Sequence, residues 1–242
     1  MKRFFSSIFF LLVAFQIVPD DLITFFYYTD KETDFISVKE ISPFTFYADN
    51  IIETVITEYE KPYSVTGGRI VTIKTKVLSA VAKEKGRSTV HIFVIPDSPL
   101  LISKGGVITS DDVIQVVFIK EGYHPDELLH ELGHALFSLA DEYGTESHSP
   151  GKYKHTPAKN ISYEKNNIGW DMIARIFNDE KIGFYEGGAG FKTGVYRSYP
   201  DCLMKSLDSK FCPVCFFYVI NTLNELTNKD IDCNTIFELY KR

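Results

Sequence analysis

Cysteine is scarce in this chain: there are four, Cys202, Cys212, Cys215 and Cys233, and none precedes Cys202. An excess of positive charge is also missing. Lys and Arg number 26 against 32 Asp and Glu, for a net charge of −6, which speaks against a nucleic-acid surface. There is no internal repeat and no low-complexity segment. After the first twenty residues, no apolar run is long enough to cross a bilayer. The balance of 45% hydrophobic and 24% charged residues excludes disorder as the bulk reading. A chain of 242 residues can hold one domain with a real core, or one catalytic domain with a small appendage. The 20 Phe and 14 Tyr are read as core packing before any role in a peptide cleft.

What is present begins with a targeting pattern. Lys2 and Arg3 precede an almost wholly apolar stretch from Phe4 to Val18, ended by Pro19-Asp20-Asp21. A basic start and an apolar stretch of this length read as a secretory signal over residues 1–20. No pair of small residues marks a cleavage site near Gln16 to Asp21, so an uncleaved membrane anchor is the alternative. Behind a signal, an even number of cysteines implies disulfides. Cys212-Pro-Val-Cys215 would also suit a redox pair or half of a zinc ribbon. The first wants a thioredoxin-like context and the second wants another close pair, so disulfide staples are preferred.

Along the chain, strands come first. Arg69–Val77 alternates as a half-exposed strand after Gly67-Gly68, and Val90–Ile95 and Val113–Ile119 read as buried strands. A helix then opens near Pro125, with Asp126 and Glu127 at its positive end. Leu128, Leu132, Ala135, Leu136 and Leu139 make its apolar face, and His130 and His134 lie on another. The chain is loop-like from Gly144 to about Asn167. A second helix is expected from Trp170 to Phe177. Residues 182 to 201 look irregular, and a last helix is expected from Phe216 to about Leu226.

The chemistry centres on His130-Glu131-Leu132-Gly133-His134. Histidines at i and i+4 on a helix bring two imidazole nitrogens within reach of one Zn²⁺. A Glu at i+1 can hydrogen-bond a water on that metal and act as general base. Two helix-surface histidines without a metal are the bland alternative. A strong amphipathic helix after a strand, in a chain with a secretory signal, favours the metal. A catalytic zinc wants a third protein ligand. On a continuing helix Asp141 would lie about 10 Å along the axis from His134 and could not share the ion. The chain must therefore turn near Phe137 or Ser138 to bring a carboxylate back. Asp141 is the first choice, because one extra residue in the turn gives it the place of the third ligand in the metzincin pattern, which it would resemble, and Glu142 is the second. No cysteine precedes the motif, so no thiol is available as an inhibitory zinc ligand from an amino-terminal pro-segment.

The stretch from His130 to Gly144, HELGHALFSLADEYG, resembles the metal-binding segment of the IgA-specific metallopeptidase (igalysin) family. Further blocks resemble it in the same order: Pro157-Ala158-Lys159-Asn160, Gly169-Trp170, Ile182–Gly188, Gly194–Arg197, Cys202-Leu203-Met204 and Phe211–Cys215. The similarity covers about residues 88 to 220. It implies a metzincin-like zinc endopeptidase of α+β (α/β-like) fold, with a mixed sheet, an active-site helix and a methionine turn carrying Met204. Cys202 near Cys212 and Cys215 suggests, by the same resemblance, a disulfide pinning that turn to the last helix. Residues 21–87 form a β-rich amino-terminal region that matches nothing, and 88–242 the zinc peptidase region.

The expectation is a secreted endopeptidase acting on extracellular protein or peptide. Zn²⁺ would be held by His130, His134 and Asp141, with Glu131 as base, and with no nucleic acid and no stable membrane span. The immunoglobulin substrate in the family's name is not carried over. The competing reading is a non-catalytic secreted binding or adhesion module with a structural zinc, which would not need Glu131. Weaker candidates are His124, His148 and His155 as ligands, and Tyr143, Tyr196 or Tyr199 as oxyanion donors. Asn160-Ile161-Ser162 is a glycosylation sequon.

Overall fold

The computed structural model describes residues 21–30, 35–67, 69–96, 101–109, 113–146, 150 and 158–241. The apolar start over 1–20 lies outside the described residues, as do His148 and His155.

The chain is mixed α and β, built on a mostly parallel five-stranded sheet. Its strands are β1 (Ile23–Tyr28), β2 (Ile51–Ile56), β5 (Thr89–Ile95), β6 (Lys104–Thr109) and β7 (Val113–Lys120), in the order β2-β1-β5-β7-β6. The first four in that order are parallel, and β6 runs antiparallel to β7 at the edge. β5 is buried at every position because both faces of the sheet are covered. Side chains alternate between the two layers. Val90, Ile92, Val94, Val117 and Ile119 join the main core, whereas Phe93, Ile95, Ile114, Val116 and Phe118 join a smaller one. From the amino-terminal region, β1 and β2 belong to this same sheet, since β1 pairs directly with β5.

The smaller core lies under the hairpin β3 (Tyr63–Thr66) and β4 (Arg69–Ile73) and the helix α1 (Thr75–Val81). The expected strand over Arg69–Val77 therefore stops early. Its last cross-strand bond runs from Lys74 N–H to Pro62 C=O at 2.7 Å, and Pro62 has no N–H to extend the ladder. The chain then coils, and α1 buries Leu78.

On the main face lie α2 (Pro125–Ala135), α3 (Ile168–Phe177), α4 (Pro213–Thr227) and α5 (Cys233–Lys241). α3 has Asn167 as its cap, and α4 begins at Pro213, ahead of the expected Phe216. Helix α5 was not expected from the sequence. Residues 182–201 differ most from expectation. They form the hairpin β10 (Tyr185–Gly188) and β11 (Gly190–Arg197), joined by the short strands β8 (Gly144–Glu146) and β9 (Ile161–Ser162). A bulge between Glu186 and Gly188, with Gly187, Ala189 and Gly190 at positive φ, breaks the alternation that would reveal a strand. Among the described residues, no helix is long and apolar enough to cross a membrane.

Candidate metal site

Helix α2 starts on a cap made by His124, whose Nδ1 accepts the Asp126 N–H at 3.3 Å. This histidine is a helix cap at the surface. The helix then buries Leu128, Leu132 and Ala135 against the sheet and ends just past His134. Leu136 and Phe137 N–H both return to Leu132 C=O, and Leu139 N–H reaches Gly133 C=O. Ser138 takes a left-handed φ of 54°, which reverses the chain. Asp141 is thereby carried back over the helix end.

The result is a convergence of three side chains. Asp141 Oδ1 lies 3.3 Å from His130 Nε2 and 3.3 Å from His134 Nε2. The two imidazole rings stand edge to face with centroids 4.9 Å apart. Each is held by its other nitrogen, His130 Nδ1 against Leu203 C=O at 2.9 Å and His134 Nδ1 against Leu139 C=O at 2.8 Å. A carbonyl can only accept, so both Nδ1 atoms carry hydrogen, and the Nε2 of each ring is left facing Asp141. Asp141 Oδ1 is buried and has no hydrogen-bond partner. Three possible ligand atoms thus lie within 4.8 Å of one another, and without a metal the Asp141 carboxylate pairs with the two imidazoles. A metal ion satisfies all three, and the carbonyl-anchored imidazoles are the usual outer support of such a site. The Asp141 side chain is 29% exposed and that of His134 20%, while Oδ1 itself is buried.

Electrostatics follow from this crowding. Burial opposes charge on His130 and His134, but the Asp141 carboxylate outweighs it and both lie above the ordinary imidazole range. Burial alone would raise Asp141; the two histidines hold it below the usual carboxylate range. Glu131, 7% exposed, is pushed up by burial, and the two imidazoles and the Gly105 N–H only partly offset that. Tyr143, pushed up to about 12 by burial, also lies close to Asp141. Tyr199 instead donates to Asp179 Oδ2 at 2.9 Å, and Tyr196 packs against Phe184.

Four residues support the site without being donors, and the spacing of the histidines shows none of these roles. Met204 is fully buried beneath α2, and a Cβ at Gly133 would come within 2.6 Å of its sulfur. Gly133 is the residue that lets the turn approach the helix between the two histidines. Gly105 on β6 lies so close to the Glu131 backbone that a Cβ would meet its carbonyl oxygen at 2.0 Å. Asn160, fully buried, brackets Asp141. Its Oδ1 accepts Ala140 N–H at 2.9 Å, and its Nδ2 donates to Ala140 C=O at 2.8 Å and to Glu142 Oε1 at 3.1 Å. A glycan on that side chain is incompatible with this packing.

Glu142 does not join the histidines. It is fully buried on the other side of the chain, among Cys202, Cys212 and Cys215. Those three cysteines are free thiols. A cavity of about 450 Å³ lined by Leu129, Phe216 and Tyr240 contains neither histidine nor Asp141, and the chemistry is placed by the donors instead. No protein-family model and no curated protein sequence matches the chain.

Proposed function

We propose that the chain is a secreted zinc-dependent endopeptidase. The observation that carries this reading is the convergence of His130 Nε2, His134 Nε2 and Asp141 Oδ1, with a buried carboxylate, Glu131, on the same helical turn. Two imidazoles and one carboxylate are three protein ligands, a set that would leave a fourth position on Zn²⁺ for water. Bound there, zinc would supply Lewis acidity and acidify a water.

The remaining work falls to the protein's own groups. Glu131, with its proton affinity raised by burial, takes a proton from the attacking water and returns it to the leaving amine. The Tyr143 hydroxyl, which lies beside Asp141, would donate a hydrogen bond to the oxygen of the attacked carbonyl. β6 is the edge of the main sheet and touches α2 through Gly105, so an extended peptide laid along β6 would run past Glu131. The resemblance to the igalysin family supports the same activity, with Met204 as the methionine of its turn. Secretion rests on the apolar start of the sequence.

The test is cleavage of an unfolded protein by the purified chain beside its Glu131→Ala variant. Cleavage by the wild type alone, lost to a chelator and restored by zinc, is expected. Equal cleavage by both proteins, or by neither with zinc bound, would overturn the proposal.

A further inference from the structure

We propose that Glu142, Cys202, Cys212 and Cys215 form a second metal centre, a closed structural zinc site of three thiolates and one carboxylate. All four side chains are buried, none more than 2% exposed, and their ligand atoms lie within 4.8 Å of one another. The three sulfurs are not joined to each other. The carboxylate supplies the independent sign of a missing ligand. Glu142 Oε1 is occupied by Asn160 Nδ2 and Cys215 Sγ, each at 3.1 Å, but Oε2 is buried with no partner. Among the described residues no lysine or arginine forms an ion pair with it. A fully buried carboxylate oxygen without a donor is costly unless a cation or a proton answers it.

The surrounding chain is arranged as it is around zinc-bound thiolates. Cys212-Pro213-Val214-Cys215 opens α4, and Cys212 Sγ accepts the Cys215 N–H at 3.4 Å. Cys202 Sγ accepts the Cys212 N–H at 3.2 Å. An N–H donated to sulfur favours its thiolate, as at Cys212, and Cys212 and Cys215 lie together at one helix start. Zn²⁺ would displace the thiol protons to solvent, and four protein ligands would leave no open position, unlike the histidine site.

The consequence reaches the first site. Glu142 follows Asp141 in the chain, and its N–H donates to Met204 C=O at 2.7 Å. Cys202 precedes Leu203, whose carbonyl holds His130. An ion here would tie the Asp141 loop and the Met204 turn to α4, a task that a disulfide would otherwise perform.

This inference is independent of the peptidase reading, and the test keeps them apart. The full chain carrying His130→Ala and His134→Ala would be loaded with cobalt(II) in reducing buffer. About one ion per chain is expected to remain, with a thiolate-to-cobalt charge-transfer band in the near ultraviolet. Adding Cys212→Ser should abolish that band. Should this variant not fold, Glu142→Gln in the same background, which preserves volume, should shift the band and weaken binding at least tenfold. A folded double-histidine variant without metal would overturn the proposal, as would cobalt bound without the band, a band unmoved by Glu142→Gln, or a disulfide among the three cysteines in mass mapping of the untreated protein.

Discussion

Replacing Asn160 by alanine should damage stability and metal binding together. The side chain is fully buried and makes three hydrogen bonds, one to the N–H and one to the C=O of Ala140 and one to Glu142. At about 1 kcal/mol each, their loss costs about 3 kcal/mol, before any penalty for the stranded Ala140 N–H. For a chain of this size that corresponds to a thermal midpoint lower by roughly 6–12 °C. Ala140 and Glu142 flank Asp141, so freeing them also frees the carboxylate that must meet both imidazoles. Loss of an outer partner of this kind weakens metal affinity by about 10–100-fold. The assay is a pair of measurements, thermal unfolding of the metal-free protein and zinc affinity by chelator competition. A fall in midpoint with unchanged zinc affinity would refute the claim that Asn160 positions Asp141. An unchanged midpoint would refute the packing argument itself.

Asp141→Asn keeps the shape of the third donor but removes its charge, so zinc affinity at the histidine site should fall by at least roughly tenfold in the same competition assay. Gly133→Ala places a Cβ within 2.6 Å of Met204 Sδ. It should destabilise by about 1–3 kcal/mol in urea unfolding despite a helix-propensity gain of about 1 kcal/mol, and Met204→Ala in the same chain should recover part of that loss. His91 is buried and lowered to about 4 by desolvation, with Nε2 donating to Glu84 C=O at 2.8 Å and Nδ1 accepting from Tyr28 Oη at 3.0 Å. Below about pH 6.5 the unfolded chain takes up a proton there that the folded chain refuses until about pH 4. Its contribution is therefore complete above pH 6.5 and lost as pH falls toward 4, by about 3 kcal/mol. Urea midpoints between pH 7 and 4 should fall more for the wild type than for His91→Gln, and parallel curves would contradict this.

The parts of the fold carried by hydrophobic pattern were legible. Val90–Ile95 and Val113–Ile119 are continuous apolar runs because the sheet is covered on both faces, and they appear as β5 and β7. The helix over the histidine motif and the need for a turn near Ser138 were legible too, since a 1.5 Å rise per residue rules out a shared ion on a continuing helix. The hairpin over Tyr185–Arg197 was hidden, because glycines at positive φ and a bulge erase its alternation. Gly105, Gly133 and Asn160 were invisible as supports, because each acts through a contact distant in sequence. The cysteines were grouped with one another and Glu142 with the histidines, but nothing in their spacing shows that a loop after α2 and the start of α4 meet.

The most direct measurement is anomalous scattering at the zinc edge from crystals of the zinc-loaded chain. The account predicts a peak bounded by His130 Nε2, His134 Nε2 and Asp141 Oδ1, at about 2.0–2.2 Å from each. Zinc found only among Cys202, Cys212, Cys215 and Glu142, with the histidine site empty, would contradict it.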